Sequence, residues 1–247
     1  MQASAAFKTL FMSLYMAFGA QHWWPGQTRF EIIVGAILTQ NTNWGNVEKA
    51  IRQLKQGKCL TPKAMRAVTF PRLTSMIKSA GYFNVKAKRL KNFTSFLYKE
   101  YGGSLSRMAQ QDGRVLRVQL LSVNGIGPET ADSILLYAFN YPIFVVDAYT
   151  KRILYRHNLA SYTDDYHTLQ EYFHTTLPRH TQTFNEYHAL IVRVGKDFCK
   201  PTPRCEECPL KDFHRASRRA CPKCHRFLRR GETVSAARGC GQCAKKR

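Results

Sequence analysis

The residues best suited to chemistry in this sequence are a glycine turn and an aspartate that follows it. Gly125-Ile126-Gly127 ends one apolar helical pattern, and Pro128 suits the first turn of the next helix, where its missing N–H costs nothing. Glycines let the backbone approach another surface, and the N–H groups at a helix start attract anions, so the turn suits a phosphate. The alternative is a plain connection between two helices.

Asp147 favours the chemical interpretation of this stretch. It follows the apolar run 143–146 and precedes a helical pattern from Ala148 to Arg156. Aspartate is a good N-cap for a helix, and a capping carboxylate can still face a cleft. A carboxylate in a cleft can stabilise positive charge that develops on a substrate, and it can orient or deprotonate water.

The composition indicates a folded protein that binds a polyanion. The 247 residues are 44% hydrophobic, and 38 Lys+Arg against 16 Asp+Glu give a formal charge of +22. Such a charge favours nucleic acid over an anionic membrane surface. No apolar run is long enough to span a bilayer, and no basic cluster precedes the first apolar helix, so we expect a cytoplasmic protein rather than a secreted or membrane-bound one.

The stretch LLSVNGIGPETADSILLYAF followed by VVDAYTKR resembles the signature of the helix-hairpin-helix, Gly-Pro/Asp DNA glycosylases, the endonuclease III superfamily. The resemblance covers about residues 23 to 208. It implies that Asp147 is the catalytic carboxylate and that Gly125 and Gly127 grip the DNA backbone beside the target nucleotide. It also implies an all-α fold of two helical lobes, one at residues 29–142 and one formed by residues 1–28 and 143–214.

Three further segments, WWP, FEIIVGAILTQNT and SAGYFNVKAKRL, resemble one branch of this superfamily, the 3-methyladenine DNA glycosylase III type, which removes alkylated purines. In that branch aromatic residues sandwich the damaged base. The resemblance therefore makes Trp23, Trp24 and Trp44 candidates for the base pocket. The alternative is that these side chains pack in the core, which is more common for tryptophan.

Two other segments are candidates for DNA contact. The polar break after the helical run 30–38 contains Gln40 and Asn41, and the resemblance implies that one of these amides fills the gap left by a flipped base. Capping and turn formation is the alternative. Lys86 and Lys88 follow a glycine turn and are candidates for a phosphate contact; otherwise they belong to a solvated helix face.

Glu129 determines which type of glycosylase we expect. Bifunctional members of the superfamily place a lysine two residues after the second glycine of the hairpin, and that lysine forms a Schiff base with the sugar. A carboxylate cannot form an imine, so we expect a monofunctional enzyme that uses water as nucleophile. The alternatives are an endonuclease III-like lyase that acts on oxidised pyrimidines and a non-catalytic DNA-binding protein.

Seven of the eight cysteines lie after position 198, in close pairs that indicate metal ligands. Cys199-x5-Cys205-x2-Cys208 resembles the iron–sulfur loop of endonuclease III relatives, and thiolates suit a 4Fe–4S cluster. The position of the fourth cysteine is here His214. Either His214 or Cys221 completes the cluster, or the cluster is lost; a lone zinc on the same ligands is the competing interpretation.

The last segment, residues 215–247, predicts a small zinc ribbon. Its two pairs, Cys221-x2-Cys224 and Cys240-x2-Cys243, have zinc-ribbon spacing, and the segment holds eleven Lys/Arg against one acid. The spacing is similar to that of the terminal finger of formamidopyrimidine-DNA glycosylases. Taken together, the sequence predicts a monomer that binds double-stranded DNA with a damaged base, in the cytoplasm and on the nucleoid if the source is bacterial.

Overall fold

The computed structural model describes residues 3–23 and 26–213. Within these ranges the chain forms twelve α-helices, one short 3-10 helix at Lys78–Ala80 and no strand, which confirms the predicted all-α fold. The α-helices are α1 (Ala3–Phe18), α2 (Arg29–Leu38), α3 (Trp44–Gln56), α4 (Pro62–Ala67), α5 (Phe70–Met76), α6 (Phe83–Tyr101), α7 (Leu105–Met108), α8 (Gly113–Ser122), α9 (Pro128–Phe139), α10 (Ala148–Arg156), α11 (Tyr166–Thr176) and α12 (Thr181–Asp197).

The chain divides into two compact units. One comprises residues 24–142, and the other combines the residues up to Trp23 with those from Ile143 onward. The lobe limits expected from the sequence stay a prediction, as does the zinc ribbon, because residues 214–247 lie outside the described residues. None of the described helices has the length and apolar character needed to cross a membrane.

Helices α2 and α9 form the centre of the first unit. Both bury residues on almost every side, so they pack as core helices rather than as amphipathic surface helices. The apolar residues that recur at helical spacing in the sequence of α9 are buried: Ile134, Leu135, Ala138 and Phe139. Arg117 on α8 and the fully buried Asp132 on α9 form an ion pair of 2.6 Å, which ties the two helices around the hairpin together.

An aromatic cluster forms the centre of the second unit. Phe144 stacks on Phe173 of α11 with ring centroids 3.6 Å apart, and Phe184 and Tyr187 of α12 meet Phe144 edge-on. The Tyr187 hydroxyl donates to the Phe7 carbonyl of α1 at 2.9 Å, which satisfies a polar group in an apolar core. This packing places the N-terminal helix against α11 and α12 and holds the segment that leads to Asp147.

Candidate active site and nucleic-acid interface

The two glycines of the hairpin between α8 and α9 differ in what the protein itself requires of them. Gly125 has a φ of +95°, and a Cβ there would lie 2.3 Å from Cγ of Arg89. Only glycine fits such a position without strain. Gly127 has an ordinary φ of −93°, and nothing lies within 4 Å of an added Cβ. The fold therefore requires Gly125, whereas no contact in the described residues requires Gly127.

A polar network holds this hairpin in place. Nε2 of Gln40 donates to the Gly125 carbonyl at 3.0 Å and to Oγ1 of Thr130 at 2.9 Å. Nη1 of Arg89 donates in turn to Oε1 of Gln40. The network joins the end of α2, the hairpin and α6, so the loop is fixed by side chains from three elements.

Helix α9 begins without a side-chain cap. Its N-cap is Gly127, which has no side chain to accept from the first-turn N–H groups, and Pro128 occupies the first turn. The first N–H groups of a helix have no intrahelical partner and carry the positive end of the helix dipole. The start of α9 is therefore suited to an anion from outside the protein, as the glycine pattern predicts.

Asp147 lies at the start of α10 and caps it, as the sequence predicts. Its Oδ1 accepts from the Thr150 N–H at 2.7 Å and from the Thr150 hydroxyl at 2.8 Å. Its Oδ2 lies 3.6 Å from Nε2 of His188 on α12. The side chain is 15% exposed, so the carboxylate is mostly enclosed and still reaches solvent.

The surroundings of Asp147 favour its ionised form. Burial raises the pKa of the carboxyl group, but the close approach of His188 and the two Thr150 donors lower it by more, so the net pKa lies below the ordinary value of 3.8. The group is therefore a carboxylate at neutral pH. It is suited to stabilise positive charge and to orient water rather than to donate a proton.

His188 is a site residue that sequence reasoning missed. The stretch NEYHALIVRVGKDFC indicates only a helix, and nothing local to His188 points to a distant aspartate. The close approach of α12 to α10 brings the two together. Gly195 permits this approach, because a Cβ there would lie 2.5 Å from Cδ1 of Tyr149.

One of the three predicted base-pocket tryptophans lines a pocket in the second unit. The pocket has a volume of about 240 Å³ and is lined by Gln21, Trp23, Ala189, Val192, Arg193, Lys196 and Asp197. Arg193 lies over the ring of Phe18 at 4.4 Å, whereas Lys196 is exposed. Trp44 lies in the first unit and packs against Gly35 of α2, and Trp24 lies outside the described residues.

The two predicted amide candidates have different surroundings. Gln40 is half-buried, and both ends of its amide are engaged in the hairpin network. Asn41 is exposed and adopts a left-handed backbone with a φ of 54°. The structure thus gives Gln40 a bracing role in the hairpin and leaves Asn41 accessible on the surface.

The two predicted phosphate-binding lysines on α6 also differ in their exposure. Lys88 is exposed, whereas Lys86 is 1% exposed and its Nζ donates to the Ala80 carbonyl at 2.6 Å. Burial, and then the charge of Arg89, lower the pKa of Lys86. The Lys86 ammonium therefore anchors the turn that precedes α6 and does not reach a phosphate in this arrangement. A surface helix face and a buried anchor cannot be told apart by the basic pattern alone.

The same turn presents a side chain to which the sequence pattern assigned no role. Tyr82 is 72% exposed and has a left-handed backbone with a φ of 44°, which is costly for a bulky residue. The preceding Gly81 also has a positive φ, of 68°. A strained turn that exposes a large aromatic ring offers a stacking surface for a base.

The cysteine loop after α12 is enclosed around a buried cation. Cys199 and Cys208 are buried, and burial raises the pKa of the Cys208 thiol to about 11. Arg156 is fully buried, and its Nη1 lies 3.2 Å from Sγ of Cys199. Arg156 also donates to the Lys200 and Pro201 carbonyls at 2.6 and 2.9 Å, while its Nε has no hydrogen-bond partner among the described residues.

A buried guanidinium beside a thiol suits a set of anionic thiolates, because its positive charge stabilises their negative charge. Among residues 3–23 and 26–213, no three His, Cys, Asp or Glu side chains are gathered as a metal site. The two candidates for a fourth ligand, His214 and Cys221, lie outside the described residues, as do Cys224, Cys240 and Cys243. The three described cysteines therefore do not form a metal site by themselves, and a metal cluster completed by residues beyond 213 stays a prediction.

Comparisons with known proteins identify the family of this chain. The pattern of the HhH-GPD superfamily of base excision DNA repair proteins matches residues 34–179. A putative DNA repair glycosylase of Methanocaldococcus jannaschii is 48% identical over 198 residues, which cover 79% of this chain and 90% of the relative. Endonuclease III of Bacillus subtilis is 27% identical over 182 residues, which cover 73% of this chain and 78% of the relative.

Solved structures show the same fold. Helicobacter pylori 3-methyladenine DNA glycosylase bound to 1,N6-ethenoadenine matches with a TM-score of 0.68 and 28% identity, over 79% of this chain and 98% of the other. An endonuclease III trapped as a covalent intermediate with DNA matches with a TM-score of 0.75 and 22% identity, over 87% and 97% of the two chains. With its hairpin, its capping aspartate and these relatives, the chain belongs to the HhH-GPD superfamily of base excision DNA repair proteins and is a DNA glycosylase.

Proposed function

We propose that this glycosylase is monofunctional and hydrolyses the N-glycosidic bond of a flipped-out alkylated purine, with Asp147 as the catalytic carboxylate. The observation that carries the proposal is the state of Asp147: it is partly exposed, and its pKa is lowered below 3.8, so it is ionised at neutral pH. Cleavage of the bond builds positive charge on the sugar. A fixed carboxylate stabilises that charge and orients or deprotonates the attacking water.

Glu129 supports hydrolysis without a covalent intermediate. It lies in the first turn of α9, two residues after Gly127, where the sequence of a bifunctional relative would place its lysine. A carboxylate there cannot attack the sugar to form an imine. Lys151 lies on α10 and outside that motif position. Strand cleavage should therefore not follow base release.

The class of base is supported by the pocket beside α12 and by one relative. Trp23 supplies a flat apolar face at a pocket of about 240 Å³. The Helicobacter pylori relative is named a 3-methyladenine DNA glycosylase and was solved with 1,N6-ethenoadenine, an alkylated purine base. N-alkylated purines that carry positive charge leave without an acid, which suits an enzyme with one ionised carboxylate, and an electron-rich ring attracts such a cation. Trp24 and Trp44 remain further candidates for the pocket.

Double-stranded DNA with a damaged base is the proposed partner of a monomeric enzyme. The uncapped start of α9, with Gly125 and Gly127, would receive a backbone phosphate, and the exposed Lys88 would add a charge contact. Asn41 and Gln40 would fill the space that the flipped base leaves. The overall charge of +22 would strengthen binding without regard to sequence.

The cysteine loop supports a 4Fe–4S cluster held by Cys199, Cys205, Cys208 and either His214 or Cys221. The buried Arg156 beside Cys199 is the observation in its favour, because a cluster of thiolates is anionic. A bound cluster would supply a rigid cross-link of the loop, and a loop held in this way can carry basic residues to the DNA. The two CxxC pairs after residue 214 are proposed to bind zinc. Iron and zinc counts on the purified protein, with the visible absorbance of the cluster, test both proposals.

A panel of duplexes, each with one damaged base, tests the function. We expect abasic sites at the positions of the alkylated purines, with strand breaks only after alkaline treatment, and no covalent adduct after borohydride reduction. Release of oxidised pyrimidines with a borohydride-trapped adduct would contradict the proposal and favour an endonuclease III-like lyase. Binding without release of any base in the panel would leave only a DNA-binding role.

A further inference from the structure

A face of α11 supplies three backbone hydrogen bonds to the extended segment that leads to Asp147. The segment 143–146 adopts no helix and has no neighbouring strand among the described residues, and its residues Phe144, Val145 and Val146 are almost fully buried. Buried backbone N–H and C=O groups require partners, so a lone extended segment in a core needs side chains to supply them.

Three side chains of α11 supply these partners. Nε2 of His174 accepts from the Phe144 N–H at 2.9 Å, and Nε2 of Gln170 donates to the Phe144 carbonyl at 2.6 Å. The hydroxyl of Tyr166 accepts from the Val146 N–H at 3.4 Å. Both polar groups of one buried residue and the N–H of another are thus satisfied by one helix.

The spacing of these side chains matches the extended segment. Tyr166, Gln170 and His174 are four residues apart and lie on one face of the helix, where successive members are about 6 Å apart. Phe144 and Val146 are two residues apart on the same side of an extended chain, about 6.7 Å apart. The helix runs antiparallel to the segment and takes the place of a partner strand. We call these three residues the α11 ladder.

We infer that the α11 ladder positions the catalytic carboxylate, with His174, Gln170 and Tyr166 as positioning residues for base release. This inference rests on the proposed role of Asp147. Asp147 is the next residue after the ladder's last contact at Val146, so the position of its backbone depends on the position of the segment. Its side chain is then held by Thr150 and faces His188. A segment free to shift would move the carboxylate relative to the sugar without removing any group that touches the DNA.

His174→Phe tests the ladder at its first contact. Phenylalanine keeps the ring that stacks on Phe184, at 5.5 Å between centroids, but cannot accept from the Phe144 N–H. We expect the single-turnover rate of base release to fall about 10- to 100-fold. The affinity for a duplex with an abasic site should be unchanged, and amide hydrogen exchange in residues 143–147 should become faster.

Two further variants separate positioning from folding. His174→Gln keeps an acceptor at this position and should recover most of the rate. His167→Phe changes an exposed histidine of the same helix, outside the ladder, and should behave as the unchanged protein. Tyr166→Phe should show a smaller loss, because its contact with the Val146 N–H is the longest of the three.

A normal rate in His174→Phe would overturn the inference, and so would a loss that His174→Gln does not recover. Asp147→Asn, measured in parallel, distinguishes this failure from a failure of the proposed function. If Asp147→Asn is inactive and His174→Phe is normal, only the ladder is refuted. If Asp147→Asn still releases the base, the catalytic role of Asp147 is refuted, and the inference with it.

Discussion

The starts of α9 and α10 use the same physical feature in opposite ways. Helix α9 begins at Gly127 with no side-chain cap, whereas α10 begins at Asp147, whose carboxylate accepts two hydrogen bonds from Thr150. A helix start attracts negative charge in either case. At α9 the anion must come from outside, and a DNA phosphate suits it. At α10 the anion is the protein's own carboxylate, for which we propose a role at the sugar.

The two sites also differ in how they are assembled. The hairpin before α9 is formed by consecutive residues, and its two glycines indicate the turn in the sequence. The site at Asp147 requires His188 from α12, the approach that Gly195 permits, and the α11 ladder. A glycine turn can therefore be recognised from a short motif, whereas the environment that sets the protonation state of a carboxylate depends on distant parts of the chain.

The largest effect is expected from Asp147→Asn, which separates the capping role of this residue from its proposed catalytic role. Asparagine is as good an N-cap as aspartate, so α10 and the melting temperature should change little. The negative charge is lost, and the single-turnover rate of base release should fall at least about 100-fold. DNA affinity should persist. A variant that keeps its rate would show that the capping role is the only one.

Substitution of the two hairpin glycines should separate fold from DNA contact. In Gly125→Ala the new methyl group meets Arg89 and the φ of +95° is strained, so we expect a loss of stability of about 1–3 kcal/mol together with weaker DNA binding. In Gly127→Ala there is open space, so the melting temperature should be unchanged.

The DNA affinity of Gly127→Ala is the informative quantity. A methyl group at the start of α9 should weaken binding if a phosphate lies against this backbone. Thermal melting and titration of a labelled duplex with both variants check this pair. Unchanged affinity in Gly127→Ala would remove the start of α9 from the interface.

His188→Gln should shift the pH dependence of base release. Among the groups that lower the pKa of Asp147, His188 has the largest effect. Without His188 burial still raises that pKa, so the pKa should be higher in the variant. The depressed pKa of the unchanged protein favours the folded, ionised state above the ordinary carboxyl pKa, and this advantage is lost as the pH falls through the folded value. The acidic limb of the rate should therefore move to higher pH in the variant. Single-turnover rates between about pH 4 and 8 measure the shift, and an unmoved limb would contradict the pairing.

The smallest effects are expected in the amide loop after α2, where Gln40→Ala and Asn41→Ala form a matched pair. Gln40→Ala removes hydrogen bonds to Gly125 and Thr130 and should cost about 1 kcal/mol of stability. Asn41→Ala changes an exposed residue and should leave stability unchanged, so that any loss of DNA affinity reports a direct contact. Chemical denaturation and duplex titration compare the two, and equal stability of both variants would argue against the bracing role of Gln40.

Sequence reasoning succeeded where the signal is local. The helical pattern from Ala148 to Arg156 coincides with α10, the capping role of Asp147 is present, and the apolar stripe of α9 is buried. Periodicity and capping chemistry involve residues within one or two turns, so they can be read from neighbouring letters. The family signature added the interpretation of the hairpin and the aspartate as parts of one site, which stays a prediction.

Sequence reasoning was insufficient where a side chain had more than one possible environment. Lys86 and Lys88 belong to one basic run, yet one ammonium is buried on the Ala80 carbonyl and the other faces solvent. The two hairpin glycines look equivalent as letters, but only Gly125 is required by a neighbouring side chain. Such differences depend on which face of an element is covered, and packing decides that.

By itself, the sequence determined the helices, the glycine turn, the capping aspartate and the family, because each of these depends on short-range patterns of residue type. Only the tertiary structure decided that Asp147 faces His188, that α11 supplies the hydrogen bonds of the segment before it, and that Arg156 lies buried against Cys199. The physical reason is that burial and pairing of polar groups are set by elements far apart in the chain, whose approach depends on how closely their backbones can pack.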